Sequence, residues 1–487
     1  MRFKVKCGLE IHTQLKTRLK LFSNSLNKSQ VLSNKPNTNV SFFDAGLPGT
    51  QPVLNYEPVL LALKAAKALK STVSPISTFD RKHYFYGDQP LGYQITQHYQ
   101  PIAKGGYLIL SSRFDQISQN KTIGIEQIQL EQDTGKTLYK DLTGLAHVDL
   151  NRANVPLIEL VTKPDFSNPE EIIAFLKQYQ YIVKFSDISS GDLETGAIRA
   201  DVNISIEGGE RVEIKNLPTT SAIMHATKYE IKRQISQFEK TGKHITETET
   251  RGWNGKQTYK LRDKENAVDY RYMPDPELPP LVLDVDEIMP QVEIEKPRDV
   301  RLEELMAEPY GLKLRDAITL LYNPEFHSYY MELFQILTTK KIVKRDLISN
   351  WICHEQVGAL KKLGRPQDEY LPARVMSELI FSVDKGSIGS NNAKLLLMHL
   401  LDNPQDQVLP IAKLIKQFDL GKTTDDELDY AKICENVLSQ NEAVIKEIRR
   451  TNSQGKLNFL VGQCMRISRG KADANDFRKR LLEMITT

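Results

Sequence analysis

The sequence predicts an α+β protein whose β-rich N-terminal part is followed by helices. Polar and apolar residues alternate with period two in the stretches 8–15, 123–133 and 196–206, as they do in half-buried strands. Several of these strands place charged residues on one face, which favours a mostly antiparallel or mixed sheet over a parallel one. From about residue 300 the apolar spacing becomes helical. We therefore expect a β-rich domain, an all-helical domain and a helical tail, at residues 1–290, 291–410 and 411–487.

The composition excludes several classes of protein. Of the 487 residues, 40% are hydrophobic and 26% are charged, as in ordinary globular proteins. No run of 18 apolar residues occurs, so we expect no membrane span. The four cysteines lie far apart without a CxxC pair, which argues against a zinc site or a disulfide framework. The first six residues lead directly into a strand, so we expect any targeting segment to be absent from this chain.

The first predicted strand carries two candidate ligands. In Gly8–Leu15, the side chains of Glu10, His12 and Gln14 share one face. A strand advances about 3.3 Å per residue, so Glu10 and His12 lie roughly 7 Å apart. Two such groups can bind one divalent cation or one phosphate, although a solvated strand face explains the alternation equally well.

A stretch of interleaved cations and aromatic residues covers residues 79–94 and includes Arg81 and Lys82. Such mixtures suit nucleotides, because cations bind phosphate while rings stack on bases. A half-buried pair of aromatic strands is the alternative interpretation.

The strand over 123–133 places Glu131 on one face with Gln129 and Asp133. The Thr-Gly-Lys sequence that follows resembles the end of a phosphate-binding loop. That loop requires a glycine where this chain has Leu130, so a Walker A motif is rejected. Lys136 remains a candidate phosphate contact.

Later strands add further candidates. Glu159 is the one charged residue in an apolar strand at 155–161, where an unpaired carboxylate would cost several kcal/mol. Arg199 lies on the polar face of the strand at 196–206, and Lys215 shares one face of the next strand with Glu213. Pairing or metal binding would explain Glu159.

Helix signals follow the strands and continue to the C-terminus. Asn168, Pro169 and Glu171 form an N-cap, a first-turn proline and a capping box, which predict a helix start. Residues 441–487 carry ten Lys and Arg against five Asp and Glu. This local surplus suits a phosphate backbone, although a charge-rich terminal helix can simply be solvated.

Eight motifs together point to a family. They occur in one order: Gly8-Leu-Glu-Ile-His-Thr-Gln-Leu-Lys16, Phe79-Asp-Arg-Lys-His-Tyr-Phe-Tyr86, Asp149-Leu-Asn-Arg152, Pro156-Leu-Ile-Glu159, Arg199-Ala-Asp-Val-Asn-Ile-Ser205, Glu213-Ile-Lys-Asn-Leu217, Asp269-Tyr-Arg-Tyr272 and Phe459-Leu-Val-Gly-Gln463. The series resembles the GatB family of tRNA-dependent amidotransferase components over essentially the whole chain. The resemblance implies a β-rich cradle with a kinase site, a helical domain and a tail that holds tRNA.

The resemblance also implies a reaction. Misacylated glutamyl-tRNA(Gln) is converted to glutaminyl-tRNA(Gln), with ATP and Mg²⁺ used to phosphorylate the γ-carboxylate of the tRNA-borne glutamate. Ammonia from a separate amidase-type glutaminase subunit then displaces phosphate. The implied partners are this amidase subunit (A), a small bridging subunit (C-type or a fungal or mitochondrial replacement), and tRNA(Gln) charged with glutamate.

The family's magnesium-site residues are matched by Glu10, His12, Glu131 and Glu159, and the imidazole leaves Mn²⁺ possible. We expect further cations around phosphates or along the ammonia path: Arg81, Lys82, Lys136, Arg199, Lys215 and Arg271.

The chain departs from the family pattern at three positions. Gln129 and Gln132 stand where the family has His and Glu, and Leu91 stands where it often has a lysine on the ammonia route. The two glutamines support one alternative, a non-catalytic tRNA-binding scaffold subunit. A stand-alone metal-dependent phosphohydrolase is a third possibility. The Asn, Lys and Gln content, the basic pI and these departures favour a mitochondrial matrix protein, with the bacterial cytoplasm as the alternative.

Overall fold

The computed structural model has the α+β fold that the sequence predicts. It describes residues 3–28, 35–140, 145–263, 270–339, 345–366, 368–421, 430–451, 453–468, 472 and 474–486. The chain separates into two compact units, Met1–Arg301 and Leu302–Thr487. The division into three domains at residues 290 and 410 stays a prediction. Asp269, Arg469 and Lys471, which belong to predicted motifs or to the basic tail, lie outside the described residues.

The first unit contains all the named strands of the described residues. They are β1 (Val5–Gln14), β2 (Thr72–Val73), β3 (Ile76–Ser77), β4 (Asp80–His83), β5 (Tyr93–Thr96), β6 (Ala103–Lys104), β7 (Tyr107–Leu110), β8 (Lys121–Gln132), β9 (Lys136–Lys140), β10 (Leu145–Asp149), β11 (Pro156–Thr162), β12 (Ile198–Ile206), β13 (Val212–Leu217), β14 (Glu249–Trp253), β15 (Thr258–Asp263), β16 (Met273–Pro274) and β17 (Leu281–Val282).

One large sheet organises this unit. Within the described residues it has ten strands in the order β15-β14-β13-β12-β1-β11-β8-β6-β2, and β7 also pairs with β8. The β13–β14 pair is parallel and the others are antiparallel, so the sheet is mixed. Smaller sheets are formed by β16-β4-β5, by the β9-β10 hairpin and by β17-β3. The prediction of a mostly antiparallel or mixed sheet is confirmed.

The two faces of the large sheet differ in character. In β1, Leu9, Ile11 and Thr13 are buried, and the Thr13 hydroxyl lies 2.8 Å from the hydroxyl of Tyr179 on a covering helix. On the other face, Glu10 and His12 of β1 are polar and partly exposed, as are the alternate residues Arg199, Asp201, Asn203 and Ser205 of β12. The period-two pattern therefore produces one face packed under helices and one open polar face.

The helices of the first unit cover the apolar face. They are α1 (Tyr56–Ala68), α2 (Pro169–Phe185), α3 (Thr220–Thr241) and α4 (Val285–Gln291), while α5 (Arg298–Met306) begins in this unit. The predicted cap of α2 is confirmed, because Asn168 Oδ1 accepts a hydrogen bond from the Glu171 backbone N–H at 3.0 Å. The Glu171 carboxylate in turn accepts one from the Ser167 backbone N–H.

The described part of the second unit is helical. It contains α6 (Leu314–Leu320), α7 (Pro324–Thr339), α8 (Arg345–Ser349), a π-helix (Asn350–Gln356), α9 (Val357–Lys362), α10 (Ala373–Asp384), α11 (Ser390–Asp402), a 3₁₀ helix (Pro404–Val408), α12 (Ile411–Gln417), α13 (Tyr430–Ser439), α14 (Glu442–Thr451), α15 (Gln454–Ile467) and α16 (Ala474–Thr486).

The last four helices share a core of their own, which includes Cys434, Leu460 and Phe477. In the described chain no helix combines the length and apolarity that crossing a bilayer requires.

A candidate metal centre on the open face of the sheet

Strand pairing brings distant polar residues into one row on the open face. On β1, His12 lies opposite Glu159 of β11 on one side and opposite Arg199 of β12 on the other. Glu159 lies in turn opposite Gln129 of β8. Directly paired residues point to the same face of a sheet, so these four side chains are neighbours although they come from four separate stretches of sequence.

Three of the predicted ligands converge. His12 Nε2 lies 3.6 Å from Glu131 Oε1 and 3.8 Å from Glu159 Oε2. The possible ligand atoms of the three residues all lie within 4.8 Å of one another. Glu131 lies on the same face of β8 two residues beyond Gln129, and its backbone pairs with that of Leu157.

The electrostatics of this His12–Glu131–Glu159 cluster favour binding of a cation. Burial raises the pKa of both carboxylates, and the neighbouring charge of Glu159 raises that of Glu131 further. Burial also lowers the pKa of His12, so its imidazole is neutral at pH 7 and can offer a lone pair. A bound cation would relieve the repulsion between the two carboxylates.

The donor set fits a hard or borderline divalent ion. Carboxylate oxygens are the ligands that Mg²⁺ prefers, and one imidazole among them also suits Mn²⁺. Opposite ligands of Mg²⁺ lie roughly 4 Å apart. The 4.8 Å spread of the cluster therefore allows all three residues to contact one ion after small side-chain adjustments.

Glu10, the fourth predicted ligand, lies beside the cluster rather than in it. It occupies the same face of β1, two residues before His12, but pairs with Val161 and Asp201. Its Oε1 accepts a hydrogen bond from Asn203 Nδ2 at 2.9 Å. Its charge still acts on Glu159, whose pKa it raises after the larger effect of burial.

Among the predicted cations, Lys82 is the one whose charge acts most directly on the cluster. It lies on β4, and its ammonium is 4.9 Å from the centre of the Tyr270 ring. Burial lowers its pKa, but the negative charges of Glu131 and Glu159 outweigh burial and raise it above the ordinary lysine value. Lys82 is therefore charged and is the local counter-ion of the two carboxylates.

Arg199 and Lys215 lie on the same open face and already contact acids. Arg199 donates to Asp133 Oδ1 at 2.9 Å, and Lys215 Nζ lies 3.3 Å from Asp201 and 2.9 Å from Glu213. Each of these ion pairs raises the pKa of its cation. A phosphate bound at this face would contact Arg199 and Lys215 while they remain paired with these carboxylates.

The other three predicted cations lie away from the cluster. Arg81, next to Lys82 in β4, points to the opposite side and binds Asp275 at 2.8 Å and Glu277 at 2.9 Å. Lys136 is exposed at the start of the β9–β10 hairpin. Arg271 is exposed with a φ of 42°, and its backbone carbonyl accepts a hydrogen bond from His83 Nδ1.

Sequence reasoning did not assign two residues that contact the cluster. Gln94 and Gln129 donate hydrogen bonds to Glu131 and Glu159, respectively. The period-two pattern does place Gln129 on the face of Glu131, which is a usable signal. Gln94 belongs to β5 in a different sheet, and no local pattern predicts that approach.

Of the other two family departures, Gln132 lies in the interior and Leu91 is partly buried. Gln132 is fully buried, donates to Asn154 Oδ1 and accepts from the Ile95 backbone N–H at 2.7 Å. Leu91 packs against the main hydrophobic core. The Gln132 side chain therefore makes structural contacts and does not face the cluster.

Comparison with known families gives a clear assignment. A family model described as the GatB/GatE catalytic domain matches residues 5–289, and one described as a GatB domain matches residues 332–485. The chain belongs to the GatB family. The cluster described above lies wholly within the segment that matches the catalytic-domain model.

Named relatives of this GatB chain come from yeasts. It is 50% identical to the B component of the mitochondrial glutamyl-tRNA(Gln) amidotransferase of Komagataella phaffii, over 99% of both chains. The proteins of the same name from Debaryomyces hansenii and Saccharomyces cerevisiae are 49% and 46% identical, over 99% of this chain and 94% of theirs. The mitochondrial naming of these relatives supports the predicted mitochondrial localisation.

Proposed function

We propose that this GatB-family chain is the ATP-dependent transamidase subunit of a heteromeric glutamyl-tRNA(Gln) amidotransferase in mitochondria. The observation that carries the proposal is the convergence of His12, Glu131 and Glu159 within the segment that matches the GatB/GatE catalytic-domain model. The names of the yeast relatives supply the substrate and the reaction.

The proposed chemistry has two steps. The γ-carboxylate oxygen of tRNA-bound glutamate attacks the γ-phosphorus of ATP, so ADP leaves and an acyl phosphate forms. The nitrogen of ammonia then attacks the acyl carbon, inorganic phosphate leaves and a proton is lost from nitrogen. Activation is needed because an ionised carboxylate oxygen is a poor leaving group, whereas phosphate is a good one.

The chain's contribution is to position charged groups. His12, Glu131 and Glu159 would hold Mg²⁺, with Glu10 close enough to contribute through its charge. When bound, Mg²⁺ would neutralise phosphate charge, which is a major part of catalysis in phosphoryl transfer. The charge of Lys82 acts on both carboxylates, and this lysine is suited to contact a phosphate oxygen or to line the route of ammonia.

The proposal also requires partners. Ammonia would come from glutamine in a separate amidase-type subunit, because the Ser-Ser pair at 189–190 lacks the lysine-paired context of an amidase site. A small bridging subunit would complete the complex. The basic surplus of residues 441–487, which includes the exposed Arg449 and Arg450 of α14, would bind the tRNA backbone.

The decisive experiment is purification of the chain with its associated proteins, followed by amidation of Glu-tRNA(Gln). The complex should produce Gln-tRNA(Gln) with ATP and glutamine, and the same amidation should occur with ammonium chloride as nitrogen donor. Failure with both nitrogen donors, although tRNA binds, would overturn the proposal in favour of a scaffold role. ATP hydrolysis without charged tRNA or partners would instead indicate a phosphohydrolase.

A further inference from the structure

Two buried glutamines contact the acids of the cluster from outside. Gln94 Nε2 donates to Glu131 Oε1 at 2.7 Å, and Gln129 Nε2 donates to Glu159 Oε2 at 2.5 Å. These are the same two oxygens that lie within 4 Å of His12 Nε2. Each carboxylate therefore has an amide donor on the oxygen that faces the imidazole.

The orientation of the Gln94 amide is fixed by its partners. Its Nε2 donates to the backbone carbonyl of Gln132 as well as to Glu131, and its oxygen accepts from the Tyr84 hydroxyl at 3.1 Å. A carbonyl and a carboxylate can only accept. Turning the amide over would lose both bonds, so the nitrogen must face the cluster.

Gln129 is oriented by its bond to the Glu159 carboxylate, which can only accept. Its Nε2 lies 3.2 Å from the Thr96 hydroxyl in addition to its bond to Glu159, and its oxygen accepts from Gln127 Nε2 at 2.8 Å. Gln129 is only 7% exposed, so a lost bond is not replaced by solvent without cost. Gln127 thus donates to Gln129 and Gln129 donates to Glu159, along the open face of the adjacent strands β8 and β11.

We propose that Gln94 and Gln129 are positioning residues that orient Glu131 and Glu159 for a divalent cation. The inference rests on the proposed function, because it takes the two carboxylates as ligands of the metal that the reaction requires. Groups that hydrogen-bond to metal ligands fix the ligand orientation, and losing one costs roughly 10–100-fold in metal affinity or activity.

The neutrality of the two amides matters for this role. A lysine or arginine at either position would orient the carboxylate equally well but would place a positive charge beside the incoming cation. An amide donates to the carboxylate and leaves its negative charge available. Lys82 already supplies one positive charge near the cluster, so two neutral donors keep the site net negative.

The test measures Mn²⁺ affinity of the full chain by titration calorimetry, with the free ion monitored by electron paramagnetic resonance. Gln129→Met and Gln94→Met remove the donor at similar side-chain length and should each weaken Mn²⁺ binding about 10–100-fold. Gln129→His should retain most of the affinity, because a ring N–H can donate the same bond. Gln127→Met removes only the outer anchor and should give a smaller loss.

Gln178→Met provides a matched control. Gln178 is also buried and also donates to a carboxylate, Asp115 at 2.7 Å, but it lies on α2 under the other face of the sheet. Its substitution should leave Mn²⁺ affinity unchanged. Equal weakening by the control, or unchanged affinity in both Gln129→Met and Gln94→Met, would overturn the inference.

A second readout separates positioning from general damage to the fold. In the complete amidotransferase complex, Gln129→Met should raise the Mg²⁺ concentration needed for half-maximal amidation and recover activity when Mg²⁺ is saturating. A structural defect would lower activity at every Mg²⁺ concentration, and that result would count against positioning. If the wild-type chain does not bind Mn²⁺, the metal assignment itself fails, which is distinct from failure of the variants alone.

Discussion

The interior position of Gln132 leads to a quantitative prediction about Gln132→Glu. Gln132 lies between two groups that need opposite partners: its oxygen accepts from Ile95 N–H, and its nitrogen donates to Asn154 Oδ1. Asn154 uses its own nitrogen to donate to Asp44 Oδ1 at 2.9 Å. The side-chain amides of Gln132 and Asn154 therefore each have one allowed orientation.

The substitution keeps the size of the side chain but replaces the donor by an acceptor. The new carboxylate would face Asn154 Oδ1, and turning Asn154 over would set its oxygen against Asp44. A buried group left without its partner costs about 1–3 kcal/mol, and an ionised carboxylate at a fully buried position adds to this. We expect the free energy of unfolding of the first unit to fall by about 3 kcal/mol or more at pH 7.

Urea unfolding of the full chain, followed by circular dichroism and tryptophan fluorescence, measures this change. Gln51→Glu is the control, because Gln51 is exposed in the same unit and its substitution should change stability by less than about 0.5 kcal/mol. If the free energy of unfolding of Gln132→Glu lies within about 0.5 kcal/mol of the wild-type value, the donor and acceptor directions assigned to Gln132 and Asn154 are wrong.

Three further predictions concern the site, the tail and the core. His12→Ala should abolish ATP-dependent amidation and leave tRNA affinity essentially unchanged, measured by single-turnover amidation and filter binding; wild-type amidation rates would defeat the site assignment. Deleting residues 411–487 should weaken tRNA binding and flatten its dependence on salt concentration, and an unchanged slope would exclude the tail as a phosphate-binding surface. Lys20→Met removes one partner of a fully buried ion pair with Asp44, so the free energy of unfolding should fall by about 3–5 kcal/mol. A thermal unfolding curve indistinguishable from that of the wild type would contradict this prediction.

Sequence reasoning performed best where a periodic pattern decides which face a residue occupies. Alternation placed His12 and Glu131 on the polar sides of their strands, and pairing of both strands with β11 then made them neighbours of Glu159. Glu159 was predicted to be paired or metal-bound because an isolated carboxylate in an apolar strand is energetically unfavourable. Its contacts with His12 and Gln129 provide that pairing.

The sequence does not predict which charged side chains form ion pairs when the partners are far apart along the chain. Arg81 and Lys82 are adjacent, and nothing local says which of them faces the acids. Arg81 instead binds Asp275 and Glu277, far along the chain, on the other side of a small sheet. The fully buried Lys20–Asp44 pair was also missed, because a lysine near a loop is ordinarily expected to be solvated.

The central position of β1 has a consequence for how the chain acquires its structure. Both neighbours of this strand, β11 and β12, come from stretches far along the chain, at Pro156–Thr162 and Ile198–Ile206. A polypeptide that is made, or threaded through a membrane, from its N-terminus onward must keep Val5–Gln14 without either sheet partner until Thr162 has emerged, and with one unpaired edge until Ile206 has emerged. Long-range pairing of this kind folds slowly and leaves apolar strand edges open to aggregation, so newly made chains should depend on chaperones during that interval.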